Sequence, residues 1–230
     1  MGDIVLPGNP PVQITVRSSR RARRLSLRVS SLDGRVTLTL PQGIGEREAL
    51  SFAREKETWL RGHMAQRREA IRVAPETELP FRGDTVRLVQ GNLRTPKLQG
   101  DTLLVPGPTE TAGRRALAFL RHRARDHLAA ASDHYATLLG HSYTRITLRD
   151  PRSRWGSCSS AGALMYSWRL IMAPDDVLNY VAAHEVAHLA EMNHSPAFWS
   201  LVGRIYGDPQ VPRQRLRDYG VDLHRYRFED

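Results

Sequence analysis

The apolar positions of residues 12–16 alternate with polar ones, and Leu25, Leu27 and Val29 alternate with Ser26, Arg28 and Ser30. Asp33-Gly34 then precedes Val36, Leu38 and Leu40. A period of two on either side of Asp-Gly predicts a β-hairpin, and Pro41 with Gly43 ends it. From residue 46 to about 72 the spacing becomes helical, with Phe52, Trp59 and Leu60 as core candidates. A break over 75–80 follows, and short strands are predicted near 85–90, 95–98 and 103–105, separated by Gly91-Asn92 and Gly100-Asp101. Pro106-Gly107-Pro108 is the sharpest punctuation in the chain. It suggests a boundary between a β-rich N-terminal region with one helix, 1–107, and a second domain, 108–230.

The second region begins with a long helical stretch over 109–139, closed by Gly140. Residues 143–149 read as a strand, and Leu164, Tyr166, Trp168, Leu170 and Met172 alternate along another, 164–172. Pro174, Asp175 and Asp176 suit the start of a helix, where proline fits the first turn and acids complement the dipole. Val177, Tyr180, Val181 and His184 continue it, and nothing breaks it before residue 192. Pro196 opens a short helix with Phe198, Trp199 and Val202, and 209–219 forms a last turn or helix. Strands in small sheets beside separate helices place the chain in the α+β class.

Composition adds limits. At 230 residues and 40% apolar the chain can bury a large core. It has no run of 18 apolar residues, so no membrane partner is expected. Residues 1–11 do not resemble a signal peptide, and the single Cys158 cannot form an intramolecular disulfide, so the cytoplasm is the expected compartment. The net charge of +10 is almost wholly arginine. Arg17, Arg20, Arg21, Arg23 and Arg24 form one cluster, and Arg114, Arg115, Arg121, Arg123 and Arg125 a second. Either could meet a nucleotide or nucleic acid, or be a solvated basic face. Neither is interleaved with aromatics, which argues against a stacking platform for single strands.

The richest chemistry lies in His184-Glu185-Val186-Ala187-His188, with His194 six residues on. On a helix, histidines four apart share a face, and the glutamate between them can act as base toward water at a metal. If the chain turns near Asn193, His194 returns as a third ligand and leaves the open coordination position that catalytic zinc requires. Glu191 could accept a hydrogen bond from a ligand ring. Cys158 as a fourth ligand would close the site and leave Glu185 without a task. The order helix, strand, strand, metal helix suits a zincin-like catalytic core of helices plus a small antiparallel or mixed sheet. In that arrangement substrate backbone pairs with an edge strand, for which 164–172 is the candidate, an internal core strand being the alternative.

Arg154-Trp155-Gly156-Ser157-Cys158, Trp168-Arg169-Leu170-Ile171, Ala173-Pro174, residues 180–185, Asn193-His194-Ser195 and Phe198-Trp199 closely resemble the YgjP-like metal-dependent hydrolases, related to SprT-type and other zincin metallopeptidases. The resemblance implies Zn2+ held by His184, His188 and His194, with Glu185 as catalytic base. It departs at Ser167, where the family often has Asn, so a substrate contact there could differ. The metzincin pattern is not met, because Glu191 stands where that pattern has glycine and no Met-turn follows.

Three functions remain open on these grounds. The first is zinc-dependent hydrolysis of a peptide or protein substrate, with Arg154, Tyr166 and Trp168 as candidate substrate contacts. The second is a metal-dependent phosphohydrolase acting on nucleotides. The third is a DNA-associated protease or basic nucleic-acid-binding module, with the N-terminal arginines as its contact. The oligomeric state is not legible.

Overall fold

A computed structural model describes residues 2–30, 34–65 and 69–228. The chain divides into two compact units, 1–69 and 70–230. The class is α+β, and no described helix is long and apolar enough to cross a membrane.

In the first unit, strands β1 (Asp3–Leu6), β2 (Val12–Ser18), β3 (Ser26–Val29) and β4 (Val36–Leu40) form a sheet ordered β1-β2-β4-β3. β3 and β4 are antiparallel, with Val29 opposite Val36, as the hairpin pattern predicted; Asp33 itself lies outside the described residues. The alternating side chains Leu6, Ile14, Leu38 and Leu40 are fully buried. The single helix expected over 46–72 is instead two, α1 (Glu46–Glu55) and α2 (Glu57–Ala65), and residues 66–68 of that stretch are not described. Leu60 enters the core, whereas Trp59 is 42% exposed, so its place among the core candidates is corrected.

The second unit begins with β5 (Ile71–Arg72), followed by β6 (Glu78–Phe81), β7 (Asp84–Gln90), β8 (Lys97–Gln99) and β9 (Thr102–Val105). The last four form a sheet ordered β6-β7-β9-β8. Residues 70–107 therefore lie with the C-terminal unit rather than with the N-terminal region to which the sequence reading joined them. Leu79, Leu88 and Leu103 share one core with the long helix α3 (Ala112–Leu139). Pro106 is buried, and the Gln90 side chain donates to the Gly107 carbonyl at 2.6 Å, so Pro-Gly-Pro is a turn within a folded unit. α3 buries Ala116, Leu120, Ala124, Leu128 and Tyr135 along one stripe and ends at Gly140, whose φ of 75° favours glycine.

Next come β10 (Arg145–Arg149), β11 (Gly156–Cys158) and β12 (Ala163–Ser167), in the order β10-β12-β11. β12 runs parallel to β10 and antiparallel to β11. Two expectations change. The 164–172 stretch is strand only to Ser167, and Trp168–Met172 coils into a 3-10 helix. The strand is also central, so the edges are β10 and β11, of which β11 faces Glu185. Ser167 is fully buried, and its hydroxyl accepts from the Arg169 N–H at 3.3 Å, which caps the 3-10 turn; no substrate reaches it.

Helices α4 (Asp175–Ala187), α5 (Pro196–Ile205) and α6 (Gln210–Leu223) follow, and β13 (Tyr226–Arg227) pairs with β5. Arg82 grips Asp175 with two hydrogen bonds, 2.8 and 2.6 Å, tying the β6–β7 turn to the start of α4. Arg215 from α6 reaches Asp176 at 2.7 Å. These side-chain bonds fasten α4 at the end opposite its histidines.

Candidate active site

Helix α4 carries His184 and Glu185 in its last turn and ends on His188. The chain then tightens: the Leu189 N–H donates to the Val186 carbonyl, and the Glu191 N–H to that of Ala187. Asn193 assists through its side chain, whose oxygen accepts from the Ser195 N–H at 3.0 Å, rather than through a left-handed backbone. Ser195 in turn caps α5 by accepting from the Phe198 N–H at 3.3 Å, with Pro196 in the first turn.

This turn returns His194 to the helix. His194 Nε2 lies 3.0 Å from His184 Nε2, and one ring nitrogen from each of His184, His188 and His194 falls within 4.8 Å of the others. Burial lowers the pKa of His184 to about 3 and also lowers that of His188, so both rings present lone pairs rather than charge at neutral pH. His188 Nδ1 lies 2.9 Å from the Glu191 backbone carbonyl, which fixes the ring. The partner is thus the Glu191 main chain, not the carboxylate the sequence suggested. Phe198 stacks on His188 with centroids 4.5 Å apart, and Trp199 lies nearly parallel to His194 at 5.8 Å. Three imidazoles clamped around one point suit a divalent transition metal, and three protein ligands leave room for a substrate atom. Cys158 stands outside this cluster, with its thiol directed to the Ser159 carbonyl.

Glu185 is 7% exposed, and no described residue donates a hydrogen bond to it. Burial pushes its carboxyl up to about 8, against the opposing pull of the Arg154 guanidinium. It faces β11 so closely that a Cβ built on Gly156 would sit 2.5 Å from its Cγ. A cleft of about 370 Å³ opens there, lined by Arg154, Gly156, Tyr180, the three histidines and Leu216 of α6. Larger depressions elsewhere in this unit lack such a set of ligands, so the chemistry rather than the volume identifies the site.

The proposed substrate contacts fare unequally. Arg154 is exposed on the cleft. Tyr166 is fully buried with its hydroxyl 3.0 Å from Ser132 Oγ, and Trp168 is 1% exposed with its ring edge-on to Phe228. Both are core side chains and cannot touch substrate. Sequence reasoning did not find Leu216, because only the return of α6 brings it near the motif. Nor did it find the close approach of Gly156 to Glu185.

The arrangement is that of a metal-dependent hydrolase, built on an α+β fold. A family model described as YgjP-like, metallopeptidase domain, matches residues 23–219, and the chain belongs to this family. It is therefore a metallopeptidase, a class that acts on peptide or protein substrates through a divalent metal. A search of curated proteins finds no match. A similar solved structure is the crystal structure of the metallopeptidase zymogen of Pyrococcus abyssi abylysin. It is 18% identical, aligned over 43% of this chain and 97% of that one, with a TM-score of 0.37, too slight a likeness to build on.

Proposed function

We propose that the protein is a zinc-dependent peptidase in which Glu185 is the general base and His184, His188 and His194 hold the metal. The observation that carries this reading is a buried carboxylate wedged between the histidine triad and the edge strand β11. Bound to the three imidazoles, zinc would supply Lewis acidity, easing deprotonation of water and polarising the scissile carbonyl. Glu185 takes the proton of the attacking water and delivers it to the leaving amine. Substrate backbone extends along the unpaired side of β11, where main-chain hydrogen bonds hold the scissile bond over the base. Of the three side chains named from sequence as substrate contacts, Arg154 keeps that role.

The test is Glu185→Ala assayed on an unfolded protein substrate. Turnover is expected to fall by about 10²–10⁴-fold, the usual contribution of a general base, with zinc still bound. A chelator should abolish wild-type activity and zinc should restore it. Unchanged turnover in the variant would remove Glu185 from the mechanism.

A further inference from the structure

Cations frame the cleft. Arg154 lines it beside Gly156 and Glu185, and among the described residues no carboxylate or carbonyl bonds to it. Arg213, on α6, is not part of the cleft wall but approaches its histidine side through Trp199. Its guanidinium lies 4.7 Å over the Trp199 ring, which stacks in turn on His194. That cation–π contact holds Arg213 in place while leaving its N–H donors free. On α6, Asp218 accepts from Gln214 and Asp222 lies 3.7 Å from Arg225, and one oxygen of Asp176 on α4 accepts from Arg215. Glu185 is the one carboxylate lining the cleft, and it is buried.

A neutral peptide leaves both guanidiniums to water. A carboxylate beside the scissile bond receives charge-assisted hydrogen bonds from either of them. We infer that Arg154 and Arg213 make this site selective for peptides with a carboxylate, from an Asp or Glu side chain or a free C-terminus, within two residues of the cleaved bond. The inference rests on the peptidase reading above.

The experiment uses the zinc-loaded full chain and quenched-fluorescence peptides identical except for Glu, Gln or Lys on either side of the cleaved bond. Each is made with a free and with an amidated C-terminus, which separates side-chain from terminal recognition. The expected order of kcat/KM is Glu above Gln above Lys, on the order of 10-fold per step at low salt, narrowing at high salt. Arg154→Gln and Arg213→Gln should each shrink the Glu-to-Gln ratio, and Arg213→Glu should favour the Lys peptide. The same order is expected for peptide binding to the Glu185→Gln protein by fluorescence anisotropy, which requires no turnover. Equal cleavage of all peptides, or a ratio indifferent to both arginine variants, overturns the inference and leaves the peptidase standing. Phosphate release from nucleoside triphosphates that depends on Glu185, with no peptide cleaved, overturns the peptidase reading and this inference together.

Discussion

Replacing Gly156 by alanine tests whether the position of Glu185, and not merely its presence, sets the rate. A Cβ at this point would lie 2.5 Å from Glu185 Cγ, 2.6 Å from Oε1 and 2.7 Å from Cδ. Ordinary contact is about 3.5–4.0 Å, so the carboxylate must retreat by roughly 1 Å. A displacement of that size at a reacting group costs about 10²-fold in rate. The cost in stability is smaller. Overpacking typically costs about 1–3 kcal/mol, but the obstructing atoms are the far end of a flexible side chain. Alanine also narrows the unfolded ensemble, which returns about 0.4–1 kcal/mol. Gly156→Ala should therefore melt within a few degrees of wild type, bind zinc stoichiometrically and have kcat reduced about 100-fold. Gly203→Ala serves as the control, because a Cβ there meets nothing within 4 Å. It lies inside α5, so it should be fully active and slightly stabilised. Measurements of kcat, metal content and thermal melting on the same preparations decide the matter. Near-normal kcat in Gly156→Ala, or a loss accounted for by unfolding or missing zinc, refutes the reasoning.

Arg169 is 5% exposed, bonded twice to Asp150 at 2.8 and 3.0 Å and to the Leu223 carbonyl at 2.7 Å. Arg169→Met strands these acceptors, and a loss of about 3 kcal/mol in urea denaturation is expected, the low end for a broken buried pair because water can still reach Asp150. Burial holds the pKa of His224 at about 4, below its ordinary 6.5, so the folded state keeps this ring neutral. Its contribution to stability is complete above pH 6.5 and is lost as pH falls towards 4, on the order of 3 kcal/mol in all. His224→Gln should flatten the fall in melting temperature between pH 7 and 5, and parallel curves for the two proteins would refute the assignment.

The histidine triad was legible because it is local. Four residues of helix and one tight turn bring His184, His188 and His194 together, and both are written in consecutive residues. The N-terminal strands were legible for the same reason, since each has one buried face and so a clean period of two. Over 164–172 the same signal misled. All of Trp168–Met172 is buried, so the parity of apolar positions stops reporting backbone conformation where strand gives way to 3-10 turn. Edge status was hidden because β11 is Gly-Ser-Cys, three half-buried residues without an apolar signature. The unit boundary was misplaced because Pro and Gly mark a sharp turn wherever one occurs, including the turn between β9 and α3. Leu216 joins the cleft wall through tertiary packing alone.

Arg154 and Arg169 show how far residue type can carry a functional reading. Both belong to stretches that resemble the same family, and both bear the same charge. Arg169 is enclosed, and its donors meet Asp150 and main-chain carbonyls of the C-terminal segment, with the Trp168 ring 4.5 Å from its guanidinium. Four of its five N–H donors are bonded within the fold, and its role is to hold the segment after α6 against the sheet. Among the described residues Arg154 has no such partners; it stands exposed on the cleft and acts on Glu185 through space. Among the described residues Arg154 is unpaired beside Glu185, and its charge favours the ionised form that the proposed general base needs before it accepts a proton. A substrate carboxylate bound to Arg154 neutralises that charge and weakens its support of the base. Acidic substrates should then gain in KM and not in kcat, and a gain in kcat would show that Arg154 binds without influencing the base.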